Sequence, residues 1–233
     1  MIAKLVEKNQ ITDEIFQLKC VVEDYDNWQI QAGQYVIVEK TEGEQKVRRA
    51  YSISSLPGDL PSFELTIRLY PEGKVSSYLT GLNIGDTLVF NGPFGNFGVN
   101  RRKENNVVLL AIGCGIAPLK AMVLQWLNQK EKIEIKLFFG NRYIEQIPYD
   151  KLFQQLNREH NNFFYYPCIS KLTESTPGYY SGRVNQVMEK EIRNFRERDY
   201  FICGSQLMLE DMKDFLERKG VREGNIFFEK VVL

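Results

Sequence analysis

Residues 107–118 read Val107-Val108-Leu109-Leu110-Ala111-Ile112-Gly113-Cys114-Gly115-Ile116-Ala117-Pro118, an apolar run that passes directly into a glycine-rich turn. The run predicts a β-strand buried on both faces, as in a parallel sheet covered by helices. The glycines would let backbone approach a pyrophosphate, and the following helix would favour its negative charge. Pro118 suits a first helical turn, which does not need its missing N–H. Taken alone, the turn fits an ordinary strand–helix connection equally well.

The chain beyond this turn continues to alternate strands with helices. Apolar runs predict strands at 133–139, 163–166, 199–203 and 226–229, and helices are expected at about 118–129, 150–158, 183–190 and 206–218. Strands that alternate with helices indicate a parallel sheet. The second half is therefore expected to be an α/β domain.

The first hundred residues follow a different pattern. Alternating apolar and polar residues predict short strands, with turns marked by glycine and proline; the strands are expected at 15–22, 33–38, 51–53 and 63–69. Many short strands of this kind are typical of an antiparallel barrel. A polar connector at 100–106 separates the halves. The expected domains are a barrel at 1–100 and an α/β domain at 104–233.

Composition narrows the class of protein. The 233 residues are 43% apolar and 26% charged, which suffices for a core without metals or disulfides. Thirty basic and thirty acidic residues cancel, and this balance argues against wholesale nucleic-acid binding. The sequence has no signal-peptide pattern and no apolar stretch of membrane-spanning length, so a cytoplasmic protein is expected.

Cysteine and histidine usage gives no sign of a metal site. The cysteines Cys20, Cys114, Cys168 and Cys203 are far apart in sequence, which favours free thiols in a reducing compartment. The single histidine, His160, lies in a polar run and is expected in a solvated loop. No metal is expected.

Three further segments offer groups suited to a ligand. Cys203-Gly204-Ser205, with Met208, follows a predicted strand, so it should open onto the same sheet edge as the Gly113 turn. Arg49-Ala50-Tyr51-Ser52 would place Arg49 and Tyr51 on one face of a strand and Ser52 on the other. Gly73-Lys74-Val75-Ser76-Ser77 offers backbone N–H groups for phosphate. Each segment alone also fits an ordinary strand or turn, and Cys203 alone fits a buried structural cysteine.

The order of the four segments is more specific than any one of them. Arg49-x-Tyr51-Ser52, Gly73-x-x-Ser76, Gly113-x-Gly115-x-x-Pro118 and Cys203-Gly204 with Met208 together resemble the ferredoxin–NADP reductase superfamily. The resemblance runs from the first strand to the C-terminus. It implies an FAD-binding barrel joined to an α/β domain that binds NAD(P).

The resemblance also implies residue roles. Arg49 would pair with the FAD pyrophosphate, Tyr51 would stack on the isoalloxazine, and Ser52 would place its hydroxyl near flavin N5. The implied FAD contacts are completed by Ala50, Ile67, Leu69, Tyr70, Gly73, Lys74, Val75 and Ser76. The implied dinucleotide contacts are Gly113, Gly115, Pro118, Cys203, Gly204 and Met208, with Cys203 near the reactive carbon of the nicotinamide. The flavin would carry the redox chemistry while the protein orients it.

Within the superfamily the motifs look closest to bacterial ferredoxin (flavodoxin)–NADP reductases. Arg142, Ser170, Lys171 and Arg183 fall where that subgroup holds the 2′-phosphate of NADP(H), which favours NADPH over NADH while leaving NADH possible. Lys171 departs from the subgroup's arginine: it keeps the charge but loses the bidentate fork.

The C-terminus is closer to the reductase components of bacterial oxygenases. It reads Phe227-Phe228-Glu229-Lys230-Val231-Val232-Leu233. Glu229 matches an acidic residue near the flavin and is expected to be catalytic, with Ser52 and Cys203. Val231 stands where relatives often cover the flavin with a terminal aromatic, and Phe228 is the alternative cover.

The function expected is that of an NAD(P)H-dependent reductase with bound FAD. It would act as a monomer and pass electrons singly to a small acidic carrier, ferredoxin or flavodoxin. Lys46, Arg48, Arg101, Arg102 and Lys103 could dock the carrier, although the last three fit a solvated linker equally well. The alternatives are a reductase of free flavin, a reductase component of an oxygenase system, a relay subunit of a complex, and a non-catalytic nucleotide sensor.

Overall fold

The first half of the chain closes into an antiparallel barrel. The computed structural model describes residues 1–24, 28–103 and 106–230. The barrel strands are β1 (Ile2–Gln10), β2 (Ile15–Val22), β3 (Tyr35–Glu42), β4 (Gln45–Ser52), β5 (Ser62–Arg68) and β6 (Thr87–Phe94), and the helix α1 (Lys74–Gly81) lies between β5 and β6. They form one sheet in the order β4-β3-β6-β1-β2-β5. A bridge between Ile53 and Leu65 joins the two edges.

Alternation along the strands fills the barrel. In β2 the side chains of Ile15, Leu18, Cys20 and Val22 are buried, whereas Lys19 and Val21, which alternate with them, are more exposed. Trp28, Phe63 and Phe90 pack their rings against one another with centroids 5.2–5.4 Å apart. Aromatic pairs in such tilted contacts stabilise a core beyond the area that they bury.

The second half is a parallel α/β sheet. Its elements are β7 (Asn106–Ile112), α2 (Ile116–Asn128), β8 (Glu134–Asn141), α3 (Asp150–Glu159), β9 (Phe163–Ile169), β10 (Tyr180–Ser181), α4 (Val184–Glu191), β11 (Asp199–Gly204), α5 (Gln206–Arg218) and β12 (Ile226–Lys230). The strand order is β10-β9-β8-β7-β11-β12, and the paired strands run parallel. The barrel and this sheet confirm the predicted fold class.

The strand β7 explains why the sheet has helices on both faces. Val107, Leu109 and Ala111 pack into a core with residues of α2 and α3, while Val108 and Leu110 pack into a second core with residues of α4 and α5. All five are fully buried. The continuous apolar run therefore belongs to a central strand, as its sequence predicts.

Several boundaries differ from those predicted. The helix expected at 118–129 begins two residues earlier, at Ile116, because the glycine turn folds into a short 3-10 helix that leads directly into α2. The strand expected at 51–53 overlaps the end of β4, which begins at Gln45. The first residues of β4 are mostly polar, so they do not show the apolar pattern of a strand. The two-residue β10 has no sequence signal. Glu104, the predicted start of the second domain, lies outside the described residues.

The two halves pack against each other. Phe97, just after the barrel, meets Phe201 of β11 edge-on with ring centroids 5.7 Å apart. Polar contacts join them as well: Lys120 of α2 donates to Glu64 of β5 at 2.7 Å, and the hydroxyls of Thr66 and Tyr149 share a hydrogen bond of 2.7 Å. Within the described ranges, no helix combines the length and apolarity needed to cross a bilayer.

Candidate functional site

A cavity of about 470 Å³ opens where the barrel meets the carboxyl end of β7. It brings together many residues that the sequence predicts as functional: Arg49, Ala50, Tyr51, Ser52, Tyr70, Gly73, Lys74, Val75, Ser76 and Glu229. These residues come from β4, from the segment that runs from Tyr70 into the start of α1, and from β12. Segments up to 180 residues apart thus share one site.

The edge strand β4 forms one wall of the cavity. It pairs with β3 on one side only, and Arg49, Tyr51 and Ser52 lie opposite Val38, Val36 and Tyr35. Arg49 is exposed, whereas Tyr51 and Ser52 are partly buried. Burial raises the pKa of the Tyr51 phenol, although Arg49 opposes the shift. Tyr51 therefore stays neutral and offers an apolar face with a polar tip.

The first turn of α1 forms a second wall. Gly73 is the N-cap residue and has no side chain to accept from that turn, so the first N–H groups remain available to a ligand. The Ser76 hydroxyl donates to the carbonyl of Gly73 at 3.0 Å and accepts from the N–H of Tyr70 at 3.3 Å. A Cβ at position 73 would lie 2.3 Å from that hydroxyl oxygen. The turn therefore requires glycine and makes a compact cradle for an anion.

Cations at the rim add to this polarity. Lys74 and Lys40 both pair with Glu42, at 2.8 and 2.7 Å, and these bonds lower the pKa of that carboxyl to about 2. Glu42 is thus ionised at neutral pH while two lysines share its charge. Together with Arg49, they give the rim an excess of positive charge beside the α1 N-terminus. This polarity fits a pyrophosphate, and the Tyr51, Val47, Val75 and Ala117 side chains fit a planar ring.

The strand β5 contributes residues that the motif analysis missed. Thr66 and Arg68 line the cavity, whereas Ile67 is fully buried in the barrel core and Leu69 is partly buried. A contact of Ile67 with a bound cofactor would therefore come from the backbone, whereas Leu69 also has part of its side chain exposed. Tyr35, Val47, Glu72, Cys114, Ala117 and Lys230 are further lining residues absent from the predicted set.

Arg68 connects the barrel to the glycine turn. Its guanidinium pairs with Glu14, and its carbon Cζ lies 5.6 Å from the centre of the Tyr70 ring. A Cβ built on Gly113 would lie 3.9 Å from Nη1 of Arg68. A cation of the barrel thus lies at the glycine turn of the other half. Strand alternation over residues 63–69 places Arg68 on the same face as Thr66, and this was the sequence signal for both.

The glycine turns after β7 and β11 touch each other. A Cβ on Gly115 would lie 2.1 Å from the carbonyl oxygen of Cys203, and a Cβ on Gly204 would lie 2.5 Å from the sulfur of Met208. Both turns open at the carboxyl edge of the sheet, as predicted for neighbouring parallel strands. Pro118 is buried in the first turn of α2.

The two cysteines near the turns are protonated thiols. Cys203 is fully buried, and burial raises its pKa well above the ordinary value. Cys114 lines the cavity, and burial raises its pKa to about 12. Neither sulfur is a thiolate nucleophile at neutral pH. Cys203 lies behind the glycine turn rather than in the cavity wall.

Glu229 is the acidic residue of the cavity. It lies on β12 opposite Cys203 of β11, and burial raises the pKa of its carboxyl to about 7. It can therefore hold or release a proton near neutrality. Its neighbour Phe228 is partly exposed and, by strand alternation, points away from Glu229. Val231, the other predicted ring cover, lies outside the described residues.

The four predicted 2′-phosphate ligands lie around the carboxyl ends of β8 and β9. Ser170 N–H donates to the Asn141 carbonyl at 3.0 Å, and Lys171 N–H donates to the Arg142 carbonyl at 3.1 Å. Arg183 is the N-cap residue of α4 and is separated from the end of β10 by Gly182. Arg142, Ser170, Lys171 and Arg183 are all exposed. Their backbones thus form one polar surface at this edge.

The predicted docking cations fall into two groups. Lys46 and Arg48 on β4 both pair with Glu39, at 2.7 and 2.9 Å, and keep more than half of their side chains exposed. Arg102 pairs with Glu131 at 2.7 Å. Arg101 and Lys103 lie over the Phe227 ring, 5.2 and 5.9 Å from its centre.

Within the described ranges, no group of three or more His, Cys, Asp and Glu residues is arranged to hold a metal.

Comparison with known proteins matches both halves. Residues 2–98 match the family described as "Oxidoreductase FAD-binding domain", and residues 109–214 match "Oxidoreductase NAD-binding domain". The electron transfer component of toluate 1,2-dioxygenase from Pseudomonas putida is 32% identical over 200 residues, 85% of this chain and 57% of the relative. One subunit of the Na⁺-translocating NADH-quinone reductase of Actinobacillus pleuropneumoniae is 28% identical over 201 residues, 80% and 49%. The chain spans about half the length of these relatives.

The fold is also that of solved reductases. The ferredoxin–NADP⁺ reductase of Neisseria gonorrhoeae, with bound FAD and NADP, superimposes with a TM-score of 0.87 at 20% identity, covering all of this chain and 98% of that one. The cytochrome P450 reductase of Amycolatopsis gives 0.87 at 24% identity, covering 98% and 68%. The predicted cofactors, FAD and a nicotinamide dinucleotide, are confirmed by the two domain matches. The chain belongs to the ferredoxin–NADP reductase superfamily, as an oxidoreductase with one FAD-binding and one NAD-binding domain.

Proposed function

We propose that this protein carries FAD in the cavity, oxidises NADPH, and delivers electrons one at a time to a small acidic carrier such as ferredoxin or flavodoxin. One observation carries the proposal above all. The cavity joins Arg49–Ser52 and Gly73–Ser76 of the barrel to Cys114, in the glycine turn, and Glu229 of the α/β half. Residues that can bind an anion, pack against a planar ring and exchange a proton therefore line one cavity.

On the barrel side the residues hold and orient. Arg49 and the first turn of α1 would bind the pyrophosphate, with Lys74 adding charge. Tyr51 would pack on the ring, and the Ser52 hydroxyl would hydrogen-bond at its reactive edge. Bound FAD supplies acceptance of a hydride and release of single electrons. The chain itself supplies position and electrostatics.

On the α/β side the glycine turn would receive the dinucleotide. Gly113 and Gly115 allow close approach of its pyrophosphate, and Arg68 adds a positive charge from the barrel. Glu229, with a pKa of about 7, would exchange a proton at the cavity wall. Cys203, predicted to contact the nicotinamide, is proposed to support this site from behind through packing.

Selectivity for NADPH is proposed to come from the exposed cations at β8 and β9. Arg142, Lys171 and Arg183, with the Ser170 hydroxyl, offer charge-assisted hydrogen bonds to a 2′-phosphate. Tyr179 supports their loop: its hydroxyl donates to Asp150 at 2.8 Å, and Asp150 also accepts from Tyr165 at 2.9 Å. The segment that carries Ser170 and Lys171 is therefore anchored to the start of α3.

The acceptor is proposed to dock near β4. Lys46 and Arg48 share the one carboxylate of Glu39 and remain exposed, so they leave an excess of positive charge near the cavity. Such a patch steers acidic partners and makes association sensitive to salt. Arg101, Arg102 and Lys103 are the second candidate patch, although all three have partners within the chain.

The test begins with the visible spectrum of the purified protein, followed by anaerobic titration with NADPH and with NADH. We expect a yellow protein whose flavin bleaches at lower NADPH than NADH. Carrier reduction should slow steeply with ionic strength, and Lys46→Gln with Arg48→Gln should weaken that dependence more than Lys213→Gln on α5. A colourless protein that needs added flavin would instead indicate a reductase of free flavin.

A second candidate is the reductase component of an oxygenase system. The similarity to the toluate 1,2-dioxygenase component favours it. In that case electrons would go to an oxygenase component, and NADH would serve as well as NADPH. Equal flavin reduction by both dinucleotides, with no change when Arg142 and Lys171 are removed, would favour this candidate over the first.

A further inference from the structure

A buried polar network crosses the contact between the two halves directly behind the cavity. Lys120 of α2 is 5% exposed, and its ammonium donates to Glu64 of β5 at 2.7 Å. The same ammonium lies 4.6 Å from the centre of the Tyr149 ring. The Tyr149 hydroxyl shares a hydrogen bond of 2.7 Å with Thr66, two residues beyond Glu64 on β5. Each half thus contributes two side chains.

The network is an unusual way to join two domains. A buried ion pair gains little net stability over a well-packed apolar contact, because both charges must leave water. Its geometry, however, is far more exacting than that of an apolar patch. Gln17 of β2 donates to the same Glu64 oxygen at 2.7 Å, which fixes the carboxylate on the barrel side. These contacts specify one alignment of the halves.

The backbone conformation of Tyr149 also indicates that these contacts specify one alignment of the two halves. It has φ +60°, ψ +19°, in the left-handed region, which a bulky non-glycine residue adopts at a cost of about 1–3 kcal/mol. Burial raises the pKa of its phenol, so the hydroxyl stays protonated. The strained conformation places the ring against Lys120 and the hydroxyl against Thr66 at once. Strain of this kind persists where surrounding contacts hold it in place.

The network touches both walls of the cavity. Thr66 itself lines it on the barrel side. Lys120 lies one helical turn beyond Ala117, which lines the cavity on the α/β side and is the second residue after the Gly113–Gly115 turn. A shift at the network would therefore change the separation of the two walls.

We propose that Lys120, Glu64, Tyr149 and Thr66 form a cross-domain latch that sets how closely the dinucleotide turn approaches the flavin wall. This inference rests on the proposed function. Under it, Lys120 and Tyr149 are positioning residues for hydride transfer: they touch neither reactant but fix the distance between them. Displacement by about 1 Å can slow a positioned reaction by about a hundredfold.

The test uses Lys120→Met and Tyr149→Phe in the holoenzyme, with Lys120→Arg as the conservative variant. Lys136→Met is the matched control: Lys136 is also a mostly buried lysine, with 13% of its side chain exposed, near the Phe164 and Tyr166 rings, but its contacts are in the α/β half. We expect both latch variants to slow flavin reduction at saturating NADPH by about tenfold or more, with FAD affinity unchanged. Lys120→Arg should recover most of the rate, and Lys136→Met should keep it.

A second measurement does not depend on activity. Hydrogen exchange of the amides at 113–120 in the FAD-free protein should be faster in Lys120→Met than in wild type or Lys136→Met. Unchanged exchange and an unchanged rate at saturating NADPH would overturn the latch, as would equal slowing in Lys136→Met. Failure of the wild-type protein to bind FAD or to accept hydride would overturn the proposed function instead, while the exchange comparison would still report on the latch.

Discussion

Gly115 and Cys203 are in direct backbone contact: a Cβ on Gly115 would lie 2.1 Å from the Cys203 carbonyl oxygen and 2.6 Å from its carbonyl carbon. No real Cβ tolerates such an approach, and the opposing atoms are backbone. The turn after β7 can therefore approach the end of β11 this closely only because Gly115 has no side chain. This contact fixes the turn that is proposed to receive the dinucleotide pyrophosphate.

Gly115→Ala should consequently damage the turn. We expect a loss of about 1–3 kcal/mol in the free energy of unfolding, because the β7 and β11 ends must separate. NADPH affinity should fall as well, since the Gly113 turn moves with them. Urea unfolding and NADPH titration measure the two effects. Gly58→Ala is the control, because a Cβ there meets nothing within 4 Å and its φ is ordinary; equal effects of both changes would contradict the prediction.

Glu229 should make stability depend on pH. Burial raises its pKa from 4.5 in the unfolded chain to about 7 in the folded protein, so the folded state binds more protons between those values. Stability contributed by the protonated carboxyl is therefore lost as pH rises from about 4.5 through about 7. Part of the side chain meets solvent, which reduces the effect to the order of 1 kcal/mol.

Glu229→Gln should flatten this dependence. The variant should equal wild type in stability near pH 4.5 and exceed it near pH 8, because the amide carries no charge at either pH. Thermal unfolding measured across this range checks the sign. A wild type that gains stability relative to the variant as pH rises would show that Glu229 is stabilised as a carboxylate.

The sequence predicts the framework better than the cavity walls. The apolar run before Gly113 has a continuous pattern that only a doubly covered strand satisfies, so its place in the fold could be predicted. On β5 the alternation is equally clear, but which face borders the cavity depends on the other half of the protein. Apolar Ile67 therefore enters the barrel core, and Thr66 and Arg68 line the cavity.

The latch residues had no local signal at all. Lys120 resembles any helical lysine in sequence, and its partners Glu64 and Tyr149 are distant in the chain, Glu64 by 56 residues. Tyr149 adopts a left-handed backbone that sequence pattern does not indicate for a tyrosine. Long-range pairing of this kind is set by how the halves pack, and periodicity within either half does not report it.

Kinetics with NADPH and with NADH should distinguish cations that bind the 2′-phosphate from a cation that binds the shared pyrophosphate. Replacing Arg142 and Lys171 together by alanine should raise the apparent KM for NADPH by about 10–100-fold. The KM for NADH should stay nearly unchanged, because only NADPH carries the 2′-phosphate. The measurement is steady-state kinetics with both nucleotides. Equal changes for NADPH and NADH would exclude these residues as 2′-phosphate ligands.

Arg68→Gln should behave in the opposite way. Its guanidinium faces the Gly113 turn, where the pyrophosphate common to both nucleotides would bind, so both constants should rise by a similar factor, about tenfold. Glu14→Gln is the companion change: it removes the partner of Arg68 and leaves its charge in place. A loss confined to NADPH in Arg68→Gln would move Arg68 to the 2′-phosphate set.

Ser52 tests the chemistry of the flavin wall. Ser52 lines the cavity at the end of β4, opposite Tyr35 of β3, and Ile53 beyond it is buried. Ser52→Ala removes one hydrogen-bonding group without changing the strand, so FAD should remain bound through Arg49 and the α1 turn. Flavin reduction by NADPH should slow by about tenfold or more, because a positioned donor stabilises charge that develops during transfer. Stopped-flow absorbance measures the rate, and the FAD content of the purified variant is the control. Loss of FAD with a normal rate in reconstituted protein would make Ser52 a structural residue of the cofactor wall.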